Sequence, residues 1–152
     1  MRRRTLLVSL ASVPLLRAQT PASGASIDPA VEAAVTKCLD DYMTAFNKMD
    51  MAAWEATFHF PHYRLASARM SVLDHAGLQN ADAVRASLGA GWHHSTWGRR
   101  RIIHWSADKA HVDTLFVRYR ADNSVIGNFE SLYVVTKEDG RWGVKLRSSF
   151  AA

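Results

Sequence analysis

The 152-residue chain is predicted to fold as an α+β domain with helices on one face of a curved sheet. Between residues 28 and 49, apolar side chains recur at spacings of three and four, which is typical of an amphipathic helix. After Gly98, four β-rich runs follow one another with short turns between them. Short links favour antiparallel hairpins, and helices followed by a meander are typical of the α+β class.

Three helices are predicted ahead of the main sheet. Asp28 is an N-cap followed by proline, and the apolar face behind it predicts a long helix ending near Met49. Asp50 begins a second, short helix, which Pro61 should end because proline disfavours a helical residue before it. Asn80 begins a third helix that the glycines after it should close.

Six strands are predicted from β-rich composition and from the turn residues between the runs. The first two form a short pair between the second and third helices, and the other four make up the C-terminal half. The predicted strands cover residues 62–67, 69–74, 99–106, 111–120, 125–136 and 142–150.

The N-terminus has the layout of a secretory signal peptide. Three arginines at positions 2–4 precede an uncharged apolar run over residues 5–16, and Ala18 supplies a small residue for cleavage. The run is too short for a membrane-spanning helix, which needs about 20 residues. The alternative interpretation is an N-terminal helix that packs on the domain.

This layout divides the chain into a signal peptide (1–18), a flexible linker (19–27) and a folded domain (28–152). We therefore expect an exported protein, periplasmic or secreted, by either the Sec or the twin-arginine route. No cysteine follows the apolar run, so no lipoprotein or other stable membrane anchor is expected.

The net charge of +5 suggests binding to nucleic acid, but most of the excess positive charge lies in the predicted signal peptide and is lost on cleavage. Of the 19 basic residues, four lie in residues 1–18, so 15 remain against 14 acidic residues. The remaining basic run, residues 99–101, lies in a predicted strand, where successive side chains point to opposite faces. We expect no nucleic-acid partner. The single cysteine, Cys38, excludes an intrachain disulfide.

Three segments carry a resemblance to a known family. Residues 39–50 form a helix with an aromatic residue, a small turn and a final Asp; residues 58–62 are an aromatic run; and residues 140–142 read Gly-Arg-Trp at the entry to the last strand. The ordered set resembles the nuclear transport factor 2-like superfamily, in its bacterial SnoaL-like branch. The resemblance implies a cone-shaped domain in which three helices pack on a strongly curved, mostly antiparallel sheet, with a pocket that opens at one end. Many members dimerise through the outer face of the sheet, so a homodimer is expected.

Members of this superfamily include isomerases, dehydratases, polyketide cyclases and non-catalytic binding modules. Ketosteroid isomerase-like members carry a general-base Asp on the strand after the second helix. The counterparts here are Ala66 and Ser67, neither of which can act as that base. Tyr42 lies on the first helix, where those enzymes place an oxyanion-binding tyrosine.

Two histidines are the candidates for proton transfer. His59 and His62 flank Phe60-Pro61 near the expected mouth of the pocket, and imidazole exchanges protons near neutral pH. The alternative is a loop histidine that bonds to the backbone. His62, His59 and Tyr42 are therefore the candidate catalytic residues, and no metal site is predicted.

Four further residues are candidates for substrate binding. Arg118 and Glu130 are charged residues inside neighbouring predicted strands. They either form a cross-strand ion pair or let Arg118 hold an anionic ligand with Glu130 behind it. Trp54 is a candidate wall of an apolar cavity, although filling the core is the first task of an aromatic residue. His104 lies in a strand, where a structural histidine is the commoner interpretation.

These patterns favour an exported domain that binds a small apolar or aromatic molecule in its pocket. Two alternatives stay open. One is a cofactor-independent acid–base enzyme of the isomerase, dehydratase or cyclase type, and the other is a non-catalytic binding or dimerisation module. A histidine and an acid facing the pocket would favour the enzyme. The sequence has no Gly-rich phosphate loop and no nucleophile elbow, so no cofactor is expected.

Overall fold

The computed structural model of the protein describes residues 26–151. The predicted signal peptide (1–18) and most of the predicted linker (19–27) lie outside these residues. In chain order the elements are α1 (Pro29–Lys48), α2 (Met51–Glu55), β1 (Phe58–Ala66), β2 (Arg69–Leu73), α3 (Ala81–Ala86), β3 (His94–Trp105), β4 (Lys109–Tyr119), β5 (Val125–Glu138) and β6 (Arg141–Ser149). Three helices and one large sheet confirm the predicted α+β class.

The six strands form one sheet in the order β2-β1-β6-β5-β4-β3. Every neighbouring pair is antiparallel except β1 and β6, which run parallel. The sheet is therefore mostly antiparallel, as predicted. The parallel pair places Arg64 of β1 directly beside Arg147 of β6.

The helix α1 begins and ends close to where the sequence predicts. The Asp28 side chain accepts a hydrogen bond from the Ala30 amide at 2.8 Å, and Pro29 follows it as the first helical residue. Met49 ends the helix in the left-handed conformation. The buried face of α1 packs into the core with residues of α2 and the sheet, and it comprises Val31, Val35, Cys38, Leu39, Tyr42, Met43, Ala45 and Phe46.

The helix α2 is shorter than predicted, and this changes the setting of the two candidate histidines. It ends at Glu55, and β1 begins at Phe58, so Pro61 lies inside a strand. The pairing of β1 with β6 shifts register between Phe58 and Tyr63, which accommodates a residue that has no N–H to donate. His59 and His62 therefore lie on a strand, and not on a loop as the alternative interpretation had it.

Within residues 26–151, no helix is long and apolar enough to cross a membrane.

Candidate functional site

A cavity of about 240 Å³ lies between the helices and the inner face of the sheet. Since a 150 Å³ protein cavity holds benzene, this one has room for roughly ten non-hydrogen atoms. Its walls mix aromatic, aliphatic and polar side chains with three arginines. The lining residues are Tyr42, Met43, Phe46, Trp54, Arg64, Ser71, Gln79, Ala83, Val84, Ser87, Leu88, Ser95, Phe116, Arg118, Tyr133, Arg147, Ser149 and Ala151.

Three arginines from three different strands reach this cavity. Arg64 and Arg147 are neighbours across the β1–β6 pair, and Arg118 comes from β4. Arg118 is only 8% exposed. The Nε atom of each arginine is buried and has no hydrogen-bond partner among the described residues, and the same holds for Nε1 of Trp54. Buried donors are almost always paired, so these four atoms leave hydrogen-bonding capacity unused behind the cavity wall.

The described lining of the cavity contains no Asp or Glu to balance the arginines. Arg64 and Arg147 lie directly opposite each other on neighbouring strands. Like charges in this arrangement destabilise a sheet. Burial, followed by the charges of Arg147 and Arg64, lowers the pKa of Arg118 to about 10. Burial and then the charge of Arg147 also lower the pKa of Arg64. The cavity is therefore short of negative charge.

Aromatic rings hold two of the guanidinium groups in place. The Cζ atom of Arg147 lies 5.6 Å from the ring centroid of Trp54, and its Nη1 donates to the Tyr42 hydroxyl at 2.6 Å. The Cζ atom of Arg118 lies 4.5 Å from the ring centroid of Phe129. Cation–π contacts of this kind stabilise a partly desolvated charge without neutralising it.

Tyr42 is positioned as a neutral hydrogen-bond donor. Burial raises the pKa of its phenol far above the ordinary value, so the hydroxyl stays protonated at any physiological pH. Because the Tyr42 oxygen accepts from Arg147, its own proton is directed elsewhere.

A buried carboxylate organises the segment ahead of α3, next to the cavity. Glu55 is 2% exposed and accepts hydrogen bonds from the backbone amides of Gly77, Leu78 and Gln79. Gln79 itself lines the cavity, as do four residues in or just after α3. Glu55 therefore fixes one wall of the cavity from behind.

The structure brings three of the seven predicted site residues to the cavity. Tyr42, Trp54 and Arg118 line it, whereas His59, His62, His104 and Glu130 do not.

His59 is held by the backbone and by one arginine. Its Nδ1 accepts from Arg141 at 3.1 Å, so its Nε2 is the donor, and it faces the carbonyl oxygens of Thr136 and Arg141. The tautomer follows from this network because arginine only donates. His59 is 6% exposed, and it bonds to the backbone, as the alternative interpretation of the sequence proposed.

His62 is part of the core. It is 1% exposed, stacks on Phe58 with 4.1 Å between ring centroids, and its Nδ1 donates to the Val144 carbonyl at 2.9 Å. Burial is the main cause that lowers the pKa of His62 to about 4. The ring is therefore neutral near pH 7.

The predicted ion pair between Arg118 and Glu130 was wrong, because the two side chains lie on opposite faces of the sheet. Arg118 points into the cavity, while Glu130 pairs with Leu115 on the outer face and binds Arg99 there. His104 is also exposed, beside His111 on the neighbouring strand.

The predicted separation of the three arginines at 99–101 is confirmed. Arg99 and Arg101 both bind Asp113, whereas Arg100 binds Asp40 of α1. They form no continuous basic patch.

Sequence reasoning missed Arg64 and Arg147. A signal was present, because both are charged residues inside β-rich runs, as Arg118 is. No sequence pattern indicated that β1 and β6 pair in parallel, and this pairing makes Arg64 and Arg147 neighbours. Among residues 26–151, no three His, Cys, Asp or Glu side chains gather closely enough to hold a metal ion.

The fold recurs in solved structures of low sequence identity. A cystatin-like-fold protein of unknown function from Nostoc punctiforme has a TM-score of 0.66 at 14% identity, covering 82% of this chain and 93% of that chain. The protein Aln2 from a Streptomyces species has a TM-score of 0.65 at 12% identity, with 81% and 91% covered. A ketosteroid isomerase-like protein from Erwinia carotovora has a TM-score of 0.55 at 20% identity, with 77% and 92% covered.

At these identities the likeness shows the fold alone, and no curated protein matches the sequence. The match to a protein family confirms the resemblance to the nuclear transport factor 2-like superfamily. A family described as NTF2-like protein (DUF6841) matches residues 32–146, which is most of the chain. The chain therefore belongs to this NTF2-like family.

Proposed function

We propose that this protein is an exported binding protein for a small organic anion, which it holds in the cavity between helices and sheet. The observation that carries the proposal is the set of three arginines that line one cavity, whose described lining has no carboxylate. Guanidinium groups form their strongest hydrogen bonds with carboxylates and phosphates.

The size and walls of the cavity favour an organic anion over a simple inorganic ion. About 240 Å³ is far more than one small ion fills, and Phe46, Val84 and Phe116 contribute apolar wall. A carboxylate with a short hydrocarbon or aromatic body matches both parts of the lining. The predicted apolar ligand is thereby refined to one that carries a charge.

Of the two alternatives, an acid–base enzyme and a non-catalytic binding module, the residues that line the cavity support the binding module. Neither a histidine nor an acid faces the described cavity, although proton transfer near neutral pH needs a group that titrates there. Tyr42 does not supply one, since burial raises the pKa of its phenol. His59 and His62 are committed to backbone carbonyls outside the cavity.

The binding proposal is tested by isothermal titration calorimetry on the purified full-length protein. The probes are benzoate, phenylacetate and hexanoate, each compared with its neutral amide of the same size. At least one acid is expected to bind about tenfold or more tightly than its amide, since one charge-assisted contact contributes more than about 1.4 kcal/mol. Arg147→Met should weaken the binding of the acid, although Arg64 and Arg118 remain, and Arg69→Met, which changes an exposed arginine on β2, should not.

The proposal is overturned if acids and amides bind equally, if none of the acids binds, or if Arg147→Met binds the acid as tightly as the unchanged protein.

The order of charge, apolar run and small residue in residues 1–18 supports export. Cell fractionation with an epitope at the C-terminus tests this point. A protein shortened by about 18 residues outside the cytoplasm is expected, and a full-length protein confined to the cytoplasm would refute it.

A further inference from the structure

We infer that the ligand is a dicarboxylate, with one carboxylate held by Arg64 and Arg147 and the other held by Arg118. This inference rests on the proposed function and names the class of anion. It follows from the separation of the cationic groups, from their number and from the donors that surround each of them.

The two cationic positions lie on different parts of the sheet. Arg64 and Arg147 are register partners on β1 and β6. Arg118 lies on β4, opposite Gly127, and β5 separates β4 from β6. Arg147 lies opposite Tyr133 on β5, six residues from Gly127. At about 4.8 Å between strands and about 3.3 Å per residue, the two backbone positions are about 10 Å apart across the sheet and about 20 Å apart along it.

The two positions also rest on different aromatic groups. Arg147 lies against Trp54 and Tyr42, at 5.6 and 6.0 Å from Cζ to the ring centroids. Arg118 lies against Phe129 and Phe116, at 4.5 and 5.7 Å. A single carboxylate is about 2 Å wide between its oxygens, so it bridges only one of these positions.

The charge count favours two carboxylates. Three guanidinium groups face a described lining without an acid. One carboxylate would leave two positive charges uncompensated in a partly buried site, whereas two carboxylates leave one. Uncompensated buried charge is strongly destabilising, so the second carboxylate has a favourable place to bind.

The donors divide in the same way. Near the first position the unpaired donors are Nε of Arg64, Nε of Arg147 and Nε1 of Trp54, and the Tyr42 hydroxyl lies beside them. At the second position, Arg118 Nη1 donates to the Leu88 carbonyl, and its Nε has no partner among residues 26–151. A carboxylate oxygen accepts strong hydrogen bonds from guanidinium groups, and those of Arg147 and Arg118 are already held by aromatic rings and a neighbouring oxygen.

The test compares linear dicarboxylates from succinate to suberate with their own monoamides, by calorimetry on the full-length protein. Each monoamide keeps the length and one carboxylate and replaces the other with a neutral group. For the chain length that fits, the dicarboxylate is expected to bind about tenfold or more tightly than its monoamide.

Substitution of Arg118 separates the two positions. In Arg118→Gln the dicarboxylate should bind no better than its monoamide, and both should still bind. Arg118→Lys keeps the charge and should retain part of the preference, which guards against a variant that is only misfolded. Arg69→Gln is the matched control on an exposed arginine and should retain the full preference.

Equal binding of dicarboxylate and monoamide at every length would overturn this inference and leave the proposed function standing. Tighter binding of inorganic phosphate than of any dicarboxylate would also overturn it. If no mono- or dicarboxylate binds at all, the proposed function itself fails.

Discussion

Arg118 holds a positive charge in the cavity at a cost to the unliganded protein. It is 8% exposed, its pKa is lowered to about 10 by burial and by two other arginines, and one of its donors is unpaired. Replacing a poorly compensated buried charge with an apolar side chain of similar volume is often stabilising. The uncompensated charge of Arg118 is therefore expected to lower the free energy of unfolding of the protein without ligand.

We expect Arg118→Met to raise the free energy of unfolding of the unliganded protein by about 1 kcal/mol, measured by urea denaturation. The matched control is Arg99→Met, which removes an exposed arginine bound to Asp113 and Glu130 and should slightly lower the stability. A larger loss in Arg118→Met than in Arg99→Met would show that the charge is compensated after all.

His62 makes stability depend on pH in the acid range. Burial is the main cause of its lowered pKa of about 4 in the folded state, below the ordinary value of 6.5. The unfolded chain therefore takes up a proton more readily than the folded one. The contribution is fully present above pH 6.5 and is lost as the pH falls towards 4.

The free energy of unfolding should thus fall between about pH 6.5 and 4, by an amount on the order of 3 kcal/mol from this residue. Urea denaturation at several pH values measures it. His62→Gln keeps a polar side chain that does not titrate and should flatten the slope. The exposed His75→Gln is the control, and an equally steep slope in His62→Gln would contradict the assignment.

At the scale of elements, Glu55 links α2 to the segment that leads into α3. Its carboxylate accepts three backbone N–H bonds from residues 77–79, and this segment carries Gln79 into the cavity wall. Without the carboxylate, those amides lose their partner, and the wall loses its support.

We expect Glu55→Ala to lower the free energy of unfolding by about 2 kcal/mol and to speed amide hydrogen exchange at residues 77–79. Ligand affinity should fall as well, because the wall is less ordered. Asp74→Ala, at an exposed acid nearby, is the control. Unchanged exchange at residues 77–79 would show that the rest of the segment holds itself in place.

Elements with local signals were predictable, and contacts between distant segments were not. The Asp28 cap and the apolar spacing fixed α1, and the Asn80 cap fixed the start of α3. The prediction that Pro61 ends α2 placed the end of this helix too late, because a register shift accommodates Pro61 inside β1. Tyr42 was found from the family resemblance, Trp54 from side-chain type, and Arg118 as a charged residue inside a β-rich run. Arg64 and Arg147 were missed because their neighbourhood exists only in the folded sheet.

At the scale of the whole molecule, the outer face of the sheet is the proposed dimer surface. It carries apolar side chains that are only half-buried in the single chain: Tyr63, Leu65, Leu115, Leu132, Val134 and Leu146. Half-buried apolar side chains gathered on one face of a sheet are typical of subunit contacts.

We expect a dimer in light scattering coupled to size-exclusion chromatography, and a monomer for Leu132→Lys, which places a charge on this face. Val125→Lys is the control, because Val125 is exposed at the start of β5. A monomeric wild-type protein would refute the proposed dimer without affecting the cavity, which lies on the other side of the sheet.

The parallel pairing of β1 with β6 has a consequence for folding kinetics. It joins the first strand to the last, so Arg64 and Arg147 meet only when the C-terminal strand enters the sheet. Contacts so distant in sequence form slowly, and any state that lacks β6 lacks the complete site. A bound anion therefore stabilises the native state alone. In stopped-flow experiments it should slow unfolding and leave the refolding rate unchanged, so the ligand would determine how long each molecule stays folded and have no effect on how fast it folds.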